Sequence, residues 1–318
     1  MNENGEYMEP SVQILLSIYK PDVDYFKKQL QSLNDQTYGS IEVLIRDDTG
    51  RRDHEIEEIV KECLTDVKYK WMKPDGKNHG FVKSFEQLIA ASTASYLAFC
   101  DQDDIWDSNK IQALTTELIK TGNLAAVSDK RIIDGADHVV MESARHQNPH
   151  YYNQWCTGDD ITGKDLIITF SEGMTMMVNG DFCRSILPIP DGSAHDQWAL
   201  ACAGIDRKVS YIDQPLVSYR RHSANVSGIL KGINSKKDYY ALRVMPFYKT
   251  AMEFAERYPG YDGNDNLVAF ARARKDGNIS VLRKLRYMAP EVVLFESAMK
   301  VCPDFLFRLL LSLVRKVG

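Results

Sequence analysis

Three carboxylates fall within four residues in Asp101-Gln102-Asp103-Asp104, directly after the apolar run YLAFC. Charges this close repel one another strongly unless a cation lies among them. A hard divalent ion such as Mg²⁺ or Mn²⁺ prefers oxygen ligands, and Mg²⁺ typically takes one or two carboxylates together with phosphate oxygens. The cluster therefore reads as a site for a metal and a diphosphate. The plainer reading, a cap on the helix that begins near Ser108, needs one carboxylate rather than three. Asp47-Asp48 closes another apolar run. Such a pair serves as a turn or helix cap or, on a shared rim, accepts hydrogen bonds from a nucleobase imide. Neither GxGxxG nor GxxxxGK[ST] follows any apolar run, so phosphates must be handled by metal and side chains.

Two later segments offer further chemistry. Asp196, in His195-Asp196-Gln197-Trp198, opens a helix after the turn Pro190-Asp191-Gly192-Ser193. It is either an acid in the field of the helix dipole or a general base on a pocket wall. Tyr219-Arg220-Arg221-His222 ends another apolar run, with Asn225 and Gly228 close behind. His222 is either a surface histidine or a neutral imidazole that completes a metal shell.

The elements that position these residues follow from periodicity. Apolar runs at residues 11–19, 41–45, 68–72, 96–100 and from 125 predict buried strands. Between them, helical patterns begin at Pro21-Asp22 (Phe26, Leu30, Leu33), at Ile56 to Leu64, over 81–91 and over 111–119. Such β-α alternation predicts an α/β fold, a parallel sheet with helices on both faces. Ligands of these sheets bind beyond the carboxyl ends of the strands. The polar clusters at 17–19, 47–48 and 101–104 all end strands and should share one rim. Residues 134–160 predict a loop over it, 173–178 a strand, 195–202 the start of a helix and 209–219 a strand. Helices are expected over 238–258, 266–275 and 279–287 and after Pro303.

The chain has 318 residues, 44% apolar and 26% charged, with a net charge of −5. This excludes wholesale disorder, a fibrous chain, a polytopic membrane protein and a strongly basic nucleic-acid binder. Residues 270–318 nevertheless hold ten Lys/Arg against four Asp/Glu, a balance of +6 against −11 for the rest. A basic tail on an acidic body points to an anionic partner such as a membrane surface, or to a solvated helical face. In that tail Phe305, Leu306, Leu309, Leu310, Leu313 and Val314 predict an apolar helix face, beside Arg308, Arg315 and Lys316. Six scattered cysteines without a CxxC pair predict reduced thiols. The first ten residues lack a basic-then-apolar leader. Together these predict the cytoplasm, and with the basic tail the inner face of the cell membrane.

The order SVQILLSIYKP, IEVLIRDDTG, NHGFVKSF, FCDQDDIWDSNKI, GMTMMVN, HDQW and YRRHSANVSG resembles family-2 glycosyltransferases of the GT-A fold. DQDDIW together with YRRHSANVSG is similar, more narrowly, to bacterial rhamnosyltransferases of polysaccharide and O-antigen assembly. The resemblance, over roughly residues 11–230, implies a GT-A, Rossmann-like, mostly parallel sheet flanked by helices in a domain spanning 1–234; the helical pattern and basic charge of the tail predict a helical C-terminal region over 235–318 that associates with a membrane or dimerises. It implies an inverting enzyme with a nucleotide-sugar donor, dTDP-L-rhamnose above a UDP-hexose, and a saccharide or lipid-linked saccharide acceptor. A catalytically silent nucleotide-sugar-binding module is the alternative of a different class. Carried over by position, Ser17 and Tyr19 wall the base, Asp47 with Asp48 recognises the pyrimidine, and Asn78 and Lys83 approach the nucleotide. Asp101 lies near the ribose, while Gln102, Trp198 and Arg220 add donor contacts. Asp103 and His222 hold Mg²⁺ or Mn²⁺. Asp196 is the base, although His195 stands where many members have Glu. The QxxRW motif of processive synthases is missing after Trp198, which favours a single addition.

Overall fold

Strand β1, Val12–Ile18, is apolar on both faces and lies between two parallel neighbours, β2 (Ile41–Asp47) and β4 (Tyr96–Cys100). The edge strand β3 (Lys68–Trp71) pairs in parallel with β2. The computed structural model describes residues 9–148, 154–170, 172–222 and 232–317. They fall into two compact units. One comprises Met1–Asp160, Ser171–Ile189 and Ala194–His222, the other Ile161–Phe170, Pro190–Ser193 and Ser223–Gly318.

In the first unit Ile14, Leu16, Val43 and Ile45 pack on Phe26, Leu30 and Leu33 of the helix Val23–Asn34. Leu15, Leu44 and Phe99 on the other face are equally buried, beside Phe85 and Leu88 of the helix Phe81–Ala91. Burial on both faces is why these strands read as continuous apolar runs. The sheet continues through β5 (Ile105–Trp106), β6 (Ala125–Ile133), β7 (Val139–Met141), β8 (Met176–Asn179) and β9 (Val209–Arg220), in the order β3-β2-β1-β4-β8-β6-β9-β5 with β7 on β6.

The α/β class and the strand–helix alternation are as predicted, but direction changes midway. β8 runs antiparallel to both β4 and β6, as do β5 against β9 and β7 against β6. An apolar run carries no directional signal, so a buried strand reads alike either way. Residues Gly173–Thr175 form a 3₁₀ turn, so this strand starts at Met176 rather than 173. Within 134–160, expected as a loop, β7 and a helical turn Ala144–Gln147 are present, while residues 149–153 lie outside the described residues. All six cysteines are free.

The second unit is helical: Thr162–Ile168, Lys236–Tyr239, a π turn Tyr240–Val244, Met245–Arg257, Asn264–Lys275, Ile279–Lys284, Pro290–Val301 and Asp304–Val317. Its interior includes Phe247, Phe254, Leu267, Phe270 and Leu282. Arg274 is buried there, its Nε donating to Glu296 Oε1 at 2.6 Å and its Nη2 to Tyr239 Oη at 2.7 Å. The helices Thr162–Ile168, Gly180–Ser185 and Pro290–Val301 were not expected from periodicity. The first two are too short to show it, and the third is exposed on much of an apolar side.

Candidate active site

Register fixes the rim. Ile18 pairs with Asp47 and Leu16 with Cys100, so the carboxyl ends of β1, β2 and β4 lie side by side. The Gln102 amide ties two of them, accepting from Tyr19 N at 2.8 Å and donating to Tyr19 O at 3.1 Å. Gln102 is thus a strap between strand ends. Tyr19 is left exposed, and Ser17 Oγ meets Ser84 Oγ at 2.7 Å.

Asp47 Oδ1 accepts from Thr49 N at 2.9 Å and from Thr49 Oγ1 at 2.7 Å, closing the turn after β2. Asp48 is buried. Its Oδ1 takes the His79 N–H at 3.1 Å, its Oδ2 takes Gly80 N–H at 2.9 Å, and Arg46 lies 3.6 Å away. Asn78 Oδ1 accepts from the same Gly80 N at 3.1 Å. Gly80, at φ +78°, is the N-cap of the helix Phe81–Ala91, a backbone angle that side chains resist. Lys83 pairs with Glu86 at 3.0 Å.

The acids after β4 do not cap the next helix. The helix Lys110–Thr121 has Asn109 at its N-cap with no side-chain cap bond, and β5 intervenes. Asp103 Oδ2 instead meets His222 Nε2 at 2.9 Å. Asp104 is buried, and its Oδ1 accepts from Arg220 N at 3.0 Å. Burial first, then Asp103 and Asp101, push the Asp104 carboxyl well up. Asp101 is pushed up to about 7, by burial first and then by Asp103, Asp196 and Glu172. That places four carboxylates in one electrostatic neighbourhood. Asp196 stands in the first turn of the helix His195–Gly204, where Oδ2 accepts from Gly173 N at 2.9 Å and Oδ1 from Gln197 N at 2.8 Å.

Two residues expected to contact the donor, Trp198 and Arg220, and the neighbouring His195 have partners within the fold. Trp198 is fully buried and its indole N–H donates to Ile186 O at 2.9 Å, so the ring is core. Arg220 is fully buried, with Nε on Asp103 O at 2.9 Å, Nη1 on Asp134 O at 3.3 Å and Asp137 Oδ1, and the guanidinium 4.3 Å over Tyr25. It braces the acidic loop from behind. His195 is neither exposed nor acid-like. It stacks on Phe85 at 3.8 Å and meets Phe99 edge-on at 4.7 Å, with burial holding its pKa down. Asn225 and Gly228 lie outside the described residues.

Sequence reasoning missed Lys110, Glu172 and Gly173. Lys110 is buried, its Nζ donating to Met174 O and sitting 3.1 Å from the Trp106 ring centroid, with burial pushing it down to about 7. A lysine at a helix N-terminus opposes the macrodipole, a signal that acids are close. Glu172 pairs with the buried Lys130. Glu172 and Gly173 left no mark in spacing.

Among the described residues no group of three or more His, Cys, Asp or Glu side chains is arranged to hold a metal by itself. The donor set of Asp103 oxygen and His222 nitrogen nevertheless suits a divalent ion that keeps phosphate and water as its other ligands.

A sequence model described as glycosyl transferase family 2 matches residues 14–181. An uncharacterised glycosyltransferase of Nostoc sp. is 26% identical over 220 residues, 67% of this chain and 66% of that protein. One from Rickettsia bellii is 26% identical over 104 residues, 33% of this chain and 14% of its own length. The match thus spans slightly under two thirds of the first relative and a small part of the second. Among solved structures, residues 1–349 of S. aureus TarS in complex with UDP-GlcNAc superpose with a TM-score of 0.59 at 16% identity, over 89% of this chain and 82% of that one. The mannosyltransferase PcManGT of Pyrobaculum calidifontis, in complex with GDP-Man and Mn²⁺, gives 0.56 at 14% identity, over 97% and 80%. At these identities the likeness shows a shared GT-A fold.

Proposed function

The chain belongs to glycosyl transferase family 2, and from that premise we propose that it is an inverting, metal-dependent glycosyltransferase that moves a sugar from a nucleotide donor to a hydroxyl of a saccharide or lipid-linked saccharide. The observation that carries this reading is the Asp103–His222 contact at 2.9 Å beside Asp101, at the carboxyl ends of parallel strands where ligands of such sheets bind. Residues 1–234 are the catalytic region in this reading, and 235–318 a helical appendage. The six free cysteines suit a reducing compartment such as the cytoplasm.

Asp47, Ser17 and Tyr19 flank the nucleoside, and Asn78 and Lys83 approach it from the loop and helix beyond β3. Asp103 and His222 hold Mg²⁺ or Mn²⁺, which when bound offsets charge growing on the departing diphosphate. Asp196 takes the proton of the acceptor hydroxyl, which attacks the anomeric carbon opposite the leaving nucleotide. The Gly173 N–H and the start of its own helix hold that carboxylate in place. The transition state has oxocarbenium character, as in glycoside chemistry generally.

The donor we propose is dTDP-L-rhamnose, on the DQDDIW and YRRHSANVSG resemblance. A UDP-hexose is the second reading, favoured by the TarS complexes with UDP-GlcNAc and UDP. A panel of nucleotide sugars, assayed for released nucleotide with Mg²⁺ or Mn²⁺, separates them. Release from dTDP-rhamnose that EDTA silences is expected. Release only from a UDP-sugar selects the second reading, and release from none leaves a silent binding module.

A further inference from the structure

The last two helices of the second unit are apolar on two opposite sides. Inward, Met299, Phe307 and Leu311 close on Ile233 in a small core, with Tyr239 and Cys302 beside it. At about 100° per residue, the side of Pro290–Val301 away from Met299 carries Leu294, Ala298 and Val301. The side of Asp304–Val317 away from Phe307 carries Phe305 and Leu309, with Leu306 at its margin. These outward residues are open to solvent: Leu294 by 73%, Val301 by 81%, Phe305 by 73% and Leu309 by 54%. Leu310, Leu313 and Val314, also expected on the apolar face, lie among residues whose side chains are not described. A single exposed leucine is ordinary. Apolar strips on two successive helices, each opposite its packed side, are a surface for a partner.

Charge selects the partner. Arg283, Lys284, Arg286 and Lys300 are exposed in the same unit, and residues 270–318 carry a balance of +6. A second copy offering the same surface would set two cationic regions against each other, which disfavours pairing. An anionic lipid leaflet suits both properties, since its acyl boundary accepts leucine and phenylalanine while its headgroups attract lysine and arginine. No helix among the described residues is long and apolar enough to cross a membrane. We propose that Leu294, Val301, Phe305 and Leu309 dock this unit in the plane of an anionic membrane surface, with the basic residues of the unit meeting the headgroups. The inference does not rest on the donor or acceptor proposed above.

The test is sedimentation of the full chain with phosphatidylcholine vesicles, with and without phosphatidylglycerol. The chain should pellet with the anionic vesicles only, and added salt should release it. Phe305→Ser with Leu309→Ser should weaken partitioning by about tenfold or more. Arg283→Glu with Arg286→Glu should weaken it by a comparable factor. Circular dichroism checks the fold of each variant; if the double serine variant fails to fold, Val301→Ser asks the same question at a more exposed position. No pelleting with anionic vesicles overturns the proposal, as does binding that the serine variants leave unchanged. A wild-type dimer in ultracentrifugation that the serine variants dissociate, without vesicle binding, assigns the strips to a second copy instead.

Discussion

Acids end both β2 and β4, yet they meet opposite surroundings. After β2, Asp47 and Asp48 accept hydrogen bonds from Thr49, His79 and Gly80, and Arg46 stands beside Asp48. After β4, Asp104 Oδ1 accepts from Arg220 N while its Oδ2 is buried without a hydrogen-bond partner, and Asp101 is crowded by Asp103, Asp196 and Glu172. The Asp103 carboxylate meets the His222 imidazole. A carboxylate that accepts main-chain N–H groups is held in one orientation, as Asp48 is here and Asp196 is at the start of its helix. Carboxylates that face one another in a buried setting need a cation or a proton, the arrangement expected where chemistry occurs. The same residue type at the ends of two neighbouring strands thus meets two electrostatic settings, set by the groups around it.

The contrast can be broken at its strongest point first. Asp103→Ala removes a proposed metal ligand, and metal stabilisation of a leaving group is worth several kcal/mol, so turnover should fall on the order of 10⁴-fold while the fold persists. Near-normal release of nucleotide by this variant in Mg²⁺ or Mn²⁺ refutes the metal assignment. Asp196→Asn keeps shape and loses the proton acceptor, so kcat should drop by ~10²–10⁴-fold with donor affinity retained. Barely altered turnover would make Asp196 a helix-start acid and no base.

Gly173→Ala tests the support behind that base. A Cβ there would lie 2.9 Å from His195 Nε2 and 3.2 Å from Phe99 Cβ, displacing the N–H that holds Asp196. A shift near 1 Å costs about 10²-fold in rate. Wild-type kcat in Gly173→Ala would show that the contact does not position the base. Asp48→Ala, on the architectural side, should act on stability rather than chemistry. It leaves the His79 N–H without its acceptor, and Gly80 N–H and Arg46 with only Asn78 and Asp75, for a loss of about 1–3 kcal/mol. Denaturant unfolding reads that loss; unchanged stability with lost donor affinity would move Asp48 into the binding site.

Much of the frame was legible in the order of residues. The runs 96–100 and 81–91 are a strand and a helix with the predicted bounds, because continuous apolar burial and 3.6-residue spacing are local properties. The crowding of the carboxylates was legible because it is local too. The intramolecular partners of Gln102, Trp198 and Arg220 were not, since spacing reports that a polar or aromatic group is present and is silent on which atom answers it. Arg220 and Asp104 are separated by 116 positions, and the turn at 190–193 announces a reversal without saying that Trp198 would meet Ile186 O.

By itself, the amino-acid order determined the α/β alternation, the placing of acids at strand ends and membership of a family whose sequence model spans residues 14–181. Tertiary structure alone decided the antiparallel run of β8, the burial of Lys110 behind the acids, and the division of aspartates between those held by N–H donors and those left facing each other. The reason is one of range. Hydrophobic periodicity and charge crowding act between neighbours in the chain, whereas hydrogen-bond satisfaction and desolvation depend on segments that meet only when the sheet is assembled.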